Sequence, residues 1–322
     1  MILILSTADD KSTIDVIRWL HYLNVPNDNI VRINDSDKLL LERIDINEDG
    51  VKIIVRYSNN KTIALHNVTS YWYRRGQWNL SPPETNVVGL KTALFKEIKS
   101  LEKFINDFLI HVPYRIGSYH ENFLCKLSVL MVAQSIGLKT PPSLITTLKQ
   151  FLNINLIASK AISDIVQIVI EDGNYMGLGT VQLNSEQLQN APKSFFPTLF
   201  QQYIDKVFEL RIFYLQGKLW PMAIFSQNNE KTKIDFRNYD RERPNRTVPY
   251  KLPTLIKNRL LILMKRLKLT SGSIDMAVDY SGDFYFFEVN PIGHFSQVSF
   301  PCNYYLEKEI ATFLSSSDST YA

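Results

Sequence analysis

Little of this sequence is given to cysteine, to ordered histidines or to long apolar runs, and each shortage removes a class of protein. Two cysteines in 322 residues, Cys125 and Cys302, stand far apart without metal-ligand spacing. That usage allows one disulfide at most and better suits free, buried thiols in a reducing cytoplasm. The five histidines, His21, His66, His111, His120 and His294, form no HxxH or HExxH order, which argues against a zinc hydrolase. No apolar run approaches the roughly 20 residues that cross a bilayer, so no membrane partner is expected. The apolar start, residues 1–6, is too short for a signal peptide and lacks a basic lead-in, and reads as a buried first strand. A net charge of +4 is too small to argue for nucleic acid, although a mild excess of Lys and Arg suits an acidic ligand such as a nucleotide.

What is present reads as a globular α/β chain. Hydrophobic residues make up 45% and charged residues 21%, enough for a real core, and the length fits two or three modest domains. Periodicity predicts strands over 2–5, 30–33, 51–57, 62–65 and 68–75, with helices over 11–23 and 91–109. A boundary is expected near 113–118. Beyond it, a helix over 122–136 is stopped by Gly137, and Pro141-Pro142 forces extended chain. A short strand is expected at 157–160, and 165–170 with 175–183 could form a hairpin around Asp172-Gly173. Strands at 199–204, 210–215 and 219–225 precede a helix that Pro253 opens and that runs to Leu267. The Ser-rich tail at 315–319 reads as frayed.

The informative segment is a hairpin near the C-terminus. Residues 273–279 and 284–290 flank the turn Tyr280-Ser281-Gly282-Asp283. Without a bulge, Asp279 pairs with Phe284 and every pair sums to 563, so Asp275 lies opposite Glu288. Opposed residues sit about 4.5–5.5 Å apart at Cβ. Asn290 shares that face, while Ile274, Met276 and Val278 against Tyr285, Phe287 and Val289 form the core face. Two opposed carboxylates repel, and a hard cation such as Mg²⁺ compensates them, being held by one or two carboxylates plus substrate phosphates. A solvated polar face or an arginine bridge would also serve.

Asp275 followed by Glu288-Val289-Asn290-Pro291 resembles the metal-binding end of the ATP-grasp superfamily. Upstream segments match in order. Lys126 and then Gly137-Leu138-Lys139-Thr140-Pro141 resemble the family's first lysine and its linker, and Ser159-Lys160-Ala161 sits where a second phosphate-binding lysine is expected. Gln201-Gln202-Tyr203-Ile204 resembles the adenine hinge, and Glu209-Leu210-Arg211 with Asp235-Phe236-Arg237 resembles the segments lining the ribose and the reacting phosphate. Tyr71-Trp72-Tyr73-Arg74-Arg75 and the stretch around Cys302-Asn303-Tyr304-Tyr305 are similar to the graspetide synthetases, in particular the maturases of grasp-with-spasm clusters.

The resemblance implies an ATP-grasp fold with a pre-ATP-grasp domain at 1–117, a central lobe at 118–200 and a C-terminal lobe at 201–322. It implies ATP and Mg²⁺, a ribosomally made precursor peptide as partner, and a cytoplasmic homodimer. Lys126 and Lys160 would meet phosphates, Gln202, Tyr203 and Ile204 adenine, and Glu209 ribose; Asp275, Glu288 and Asn290 would hold the metal. Arg211 and Arg237 would clamp the γ-phosphate or substrate carboxylate, Asp235 would meet substrate, and Arg74 and Arg75 would either touch the acidic precursor or pair at a domain seam. For Arg237 a bridge to Asp235 or Asp240 is the plainer alternative; the run from Arg237 through Arg241 and Arg243 to Arg246 reads as a mobile charged loop, which the resemblance would also let meet acidic residues of the core peptide.

Two departures stand out. Lys160 is not followed by a glycine-rich phosphate cover; the glycines come at Gly173, Gly177 and Gly179, read here as a peptide-binding hairpin. His294 stands where similar maturases often carry glutamine. At this level an ATP-grasp ligase adding free amino acids to a protein or small acid, or a nucleotide-binding partner without catalysis, stays open.

Overall fold

A computed structural model describes residues 1–152, 157–163, 167–169, 175–177, 180–238 and 240–316. The Asp172-Gly173 turn, Gly179 and the tail beyond Ser316 lie outside the described residues. The chain divides into two compact units, 1–123 joined by 304–322, and 124–303. The boundary therefore falls a few residues after the one expected. The last segment, assigned from sequence to the C-terminal lobe, folds with the N-terminal residues.

The first unit is built on a parallel sheet. Strand β1 (Ile2–Ser6) lies between β2 (Ile30–Asn34) and a later strand, Ser70–Tyr73. All five residues of β1 are buried, as expected of a parallel strand covered on both faces. Helix α1 (Lys11–Tyr22) starts at Asp10, whose carboxylate accepts the Thr13 N–H at 3.2 Å, and buries Val16 and Leu20. An antiparallel ribbon follows: β3 (Leu39–Asn47), β4 (Gly50–Tyr57) and β5 (Thr62–Ala64). The sequence did not mark β3, because Glu42, Arg43 and Asp45 interrupt its apolar alternation and a bulge lies between Leu41 and Arg43. Strand β6 (Ser70–Tyr73), helix α2 (Val88–Leu109) and β7 (Tyr114–Ile116) complete the unit. The C-terminal helix Leu306–Ser315 closes it, with Trp19 edge-on to Tyr305 at 6.5 Å and the Ser70 hydroxyl donating to the Leu314 carbonyl at 2.6 Å.

Arg74, expected to meet substrate, is 2% exposed and pairs with Asp10 at 3.0 Å. Burial alone would raise Asp10; Arg74, the Ser12 hydroxyl and the Thr13 N–H bring it below the ordinary carboxylate range. Arg74 therefore ties the end of β6 to the start of α1. Its neighbour Arg75 is exposed and adopts φ 142°, a conformation few side chains tolerate.

The second unit holds the remaining elements. Helix α3 (Lys126–Ser135) ends where Gly137 takes φ +81° and donates its N–H to the Gln134 carbonyl, as expected of that glycine. A small sheet is ordered β12 (Val181–Leu183), β9 (Ile157–Lys160), β13 (Ser194–Gln202), β8 (Ser143–Leu148). Strands β10 (Gln167–Val169) and β11 (Tyr175–Gly177) pair separately, so the expected strand over 175–183 is split between two sheets. Helix α4 (Ser185–Asn190) precedes β13.

The larger sheet is ordered β16 (Arg246–Pro249), β15 (Lys218–Phe225), β14 (Lys206–Leu215), β17 (Ser271–Asp279), β18 (Phe284–Asn290). Helix α5 (Thr254–Arg266) and α3 cover one face, packing Leu260, Leu263, Met264 and Val129 on Leu210, Ile212, Ile274 and Met276. Strict alternation then sends Glu209, Arg211 and Asp275 to the other face. Helix α6 (Ser296–Cys302) packs near β14 to β16. Both cysteines are free, but Cys125 is exposed rather than buried. No helix among the described residues is long and apolar enough to cross a membrane.

Asp10→Ala removes the cap of α1 and leaves Arg74 buried without its counter-charge, and should cost about 3–5 kcal/mol at neutral pH. Because the folded pKa of Asp10 is depressed, its contribution is complete above the unfolded value and fades as pH falls through the folded one. Urea titrations of both proteins from pH 7 downward should therefore converge in acid; a difference that stayed constant with pH would contradict the pairing.

Candidate functional site

The hairpin β17–β18 places Asp275 directly opposite Glu288, as the sequence predicts, but by a different route. Val278, not Asp279, pairs with Phe284, and the Asp279 N–H donates to the Asp283 carbonyl at 3.1 Å, so three residues rather than four make the turn. Asp279 accepts the N–H groups of Ser281 and Asp283, and Gly282 adopts φ +81°. A bulge at Phe287 then restores the expected register, since Met276 pairs with Phe286 and Asp275 with Glu288. The correction matters for the side chains. Phe286 is the fully buried core residue, and Phe287 turns instead to the cleft, where the Lys160 ammonium lies 4.6 Å from its ring.

Each carboxylate has its own cation. Asp275 receives both its contacts from Arg211 Nη1 at 2.6 Å, and the two residues are each 6% exposed. Glu288 is met by Arg237 Nη1 at 3.3 Å and by Lys126 Nζ at 3.6 Å. Burial pushes Glu288 up, but Lys126, Lys160, Arg237 and Arg211 together hold it below its ordinary value. Asp275 is raised, because burial and the charge of Glu288 outweigh Arg211. Burial lowers Lys160, and Glu288 opposes that.

Arg237 also forks onto Asp235, with Nε to Oδ1 at 2.8 Å and Nη2 to Oδ2 at 2.7 Å. The plainer alternative for Arg237 is thus realised, and Asp235 serves to aim it at Glu288. Gln201 to Ile204 line the same cleft, and the Gln202 N–H donates to the Pro142 carbonyl at 2.9 Å. Asn290 is exposed on β18, and its side-chain oxygen accepts the Ile292 N–H at 3.0 Å.

Lys206 was missed. It is 3% exposed, lines the cleft, and bonds Glu209 at 2.6 Å and the Ile234 carbonyl at 2.9 Å. Glu209 also accepts from the Ser226 hydroxyl. Simple alternation puts residues three apart on opposite faces; an irregularity between Lys206 and Phe208 brings the two together. A buried lysine two residues past a hinge was the only available signal.

The cleft, about 550 Å³ measured to its open mouth, thus gathers Lys160, Lys206 and Arg237 with Glu209, Asp235, Asp275 and Glu288; Lys126 reaches Glu288 from an adjoining pocket, and Arg211 backs Asp275. Arg74 and Arg75 belong to the other unit. Among the described residues no three His, Cys, Asp or Glu cluster as a metal cage. A hard divalent ion shared with phosphates needs only one or two carboxylates, which this hairpin supplies. Arg211 Nε, on the guanidinium that pairs with Asp275, is buried with no hydrogen-bond partner, an unsatisfied donor beside the carboxylate pair. The donor set fits a magnesium-bound polyphosphate.

No family model matches the sequence, and no curated protein matches it. Solved structures do match. A RiPP-associated ATP-grasp ligase of Chryseobacterium gregarium, in complex with ADP and a leader and core peptide, is 24% identical with a TM-score of 0.80, covering 98% of this chain and 96% of that one. Macrocyclase MdnC of Microcystis aeruginosa MRC, bound with precursor peptide MdnA, is 25% identical with a TM-score of 0.76, covering 98% and 100%. ATP-grasp ligase PsnB, complexed with minimal precursor, Mg and ADP, is 12% identical with a TM-score of 0.67, covering 97% and 96%. The chain has the ATP-grasp fold over nearly its whole length.

Arg211→Met alone strands a buried carboxylate and should cost about 3–5 kcal/mol, whereas Arg211→Met with Asp275→Leu should recover most of that loss. Denaturant unfolding of the single and double variants measures the coupling; additive losses would contradict the pair.

Proposed function

We propose that this chain is an ADP-forming carboxylate ligase that phosphorylates Asp or Glu side chains of a ribosomally made precursor peptide. It closes them onto Thr or Ser hydroxyls as esters, or onto Lys amines as amides. The observation that carries the reading is the opposed pair Asp275 and Glu288, ringed by cations in one cleft of a fold shared with peptide-bound ATP-grasp ligases. A cytoplasmic homodimer belongs to the same proposal.

A carboxylate is a poor electrophile. Transfer of the γ-phosphoryl of ATP to it gives an acyl phosphate and ADP; a hydroxyl or amine then attacks the acyl carbon, phosphate leaves, and the attacking group loses its proton. The first step asks for alignment and charge neutralisation rather than a protein nucleophile. Lys126 and Lys160 supply point charges to the phosphates, and Arg211 and Arg237 supply guanidinium forks to the transferring phosphoryl or the substrate carboxylate. Asp235 holds the Arg237 fork in its plane. Lys206 braces Glu209 toward the ribose, and 202–204 offer backbone groups to adenine. Asp275 and Glu288, with Asn290 beyond them, would hold Mg²⁺, which when bound screens phosphate charge during transfer. For the ion to sit there, Arg237 must release Glu288.

Two outcomes follow. Glu288→Gln should keep the wild-type melting temperature yet lower peptide-dependent ADP formation on the order of 100-fold or more; an active, magnesium-dependent variant would refute the metal assignment. Because burial lowers Lys160, the free enzyme should lose this cation as pH rises before an ordinary lysine titrates, so KM for ATP should climb in alkali. Lys160→Arg, which stays charged, should flatten that climb, and an unchanged profile would exclude Lys160 as the titrating group.

A further inference from the structure

The connection between β15 and β16, whose run 237–246 reads from sequence as a mobile charged loop, is held by side-chain hydrogen bonds among its described residues. Thr232 is 1% exposed, and its hydroxyl donates to the Ser226 carbonyl at 3.1 Å and bonds Asn245 Oδ1 at 2.9 Å. Asp240 accepts the Asn229 side-chain amide at 3.0 Å and the N–H groups of Glu242 and Arg243 at 3.0 and 3.2 Å. One wall of the loop, with Asp235 and Arg237, faces the nucleotide cleft. Its other wall, together with Phe225 and Arg246, surrounds a second and larger cavity of about 1140 Å³, measured likewise to its open mouth.

The charges around this cavity do not cancel. Asp240 is 8% exposed and already satisfied by amides, and among the described residues Lys231 is the one cation that reaches it, at 3.8 Å. Glu230 pairs outward with Lys233 at 3.7 Å, its side chain 90% exposed. Arg243 and Arg246 make no ion pair among the described residues, and the Arg246 guanidinium lies 5.5 Å from the Phe225 ring, which orients it. Two guanidinium groups that no carboxylate pairs among the described residues, on a cavity lined mostly by polar and charged side chains, suit carboxylates, which they take as forks. The chain as a whole is too weakly charged, at +4, for a nucleic-acid face.

The cavity is also close to the chemistry. Arg237 and Asp240 are three residues apart, so at most about 11 Å of backbone separates the two walls. A peptide strand rising about 3.3 Å per residue spans that distance in three or four residues.

We propose that this second cavity docks an acidic segment of the peptide substrate, with Arg243, Arg246 and Lys231 receiving side-chain carboxylates a few residues from the one activated in the cleft. The proposal rests on the reading that the substrate is a peptide. It assigns the cavity a role in binding and register, not in phosphoryl transfer.

The test uses the full chain, saturated with Mg-ADP to fill the cleft, and fluorescein-labelled hexaglutamate or hexaglutamine read by fluorescence anisotropy. Hexaglutamate should bind, more weakly as salt rises, and hexaglutamine should not. Arg243→Glu with Arg246→Glu should weaken hexaglutamate binding about tenfold or more. Lys257→Glu with Lys265→Glu, the same charge change on exposed positions of α5, should leave it unchanged. Absence of hexaglutamate binding, equal binding by the Arg243/Arg246 variant, or an equal loss in the α5 variant would each overturn the proposal. Failure of the ligase reading would show separately, as wild-type protein that neither binds Mg-ADP nor turns over ATP.

Discussion

Two carboxylates held face to face on neighbouring strands are the constraint on which the rest of the cleft depends. Asp275 and Glu288 are fixed by backbone pairing, so they cannot separate to relieve repulsion. The chain answers with cations from every element that reaches them: Arg211 from β14, Lys126 from the first turn of α3, Lys160 from the end of β9, and Arg237 from the loop before β16. Such an array stabilises little by itself, because desolvation offsets most of the attraction between buried ions. Its consequence is chemical. A carboxylate held ionised at Glu288 by several cations is prepared to exchange partners with a metal-bound polyphosphate.

Irregular backbone, rather than regular strand geometry, finishes the site. The bulge at Phe287 sends Phe286 into the core and leaves Phe287 beside Lys160. The shift near Lys206 brings a buried lysine onto the face of Glu209. Both are local departures from a period of two, and both re-aim a side chain at the cleft, a common use of bulges. The sheet meanwhile keeps its opposite face closed with α3 and α5, so the cleft stands on a packed base.

These same departures mark what could be read from the residues alone. Long, strongly periodic pieces such as β1, α1 and α5 were legible, because alternation and helical spacing report burial directly. The opposition of Asp275 and Glu288 was legible too, although a tighter turn and a bulge, each of one residue, cancel to give it. Lys206 was not, since alternation places it on the wrong face. Arg74 was expected at substrate, and its burial against Asp10 depends on packing between segments 64 positions apart in sequence, which no local pattern reveals. Strand β3 and the return of the C-terminal helix to the first unit were hidden for the same reason.

The ligase reading is tested most directly by mass spectrometry of the acidic peptide encoded nearest the gene, after incubation with the protein, ATP and Mg²⁺. Ring closure through an acyl phosphate removes one water per link, so the expected result is a loss of about 18 Da, or multiples of it, with matching ADP. A gain in mass would mean that free amino acids are added instead, and ADP formation without any change in peptide mass would contradict intramolecular closure.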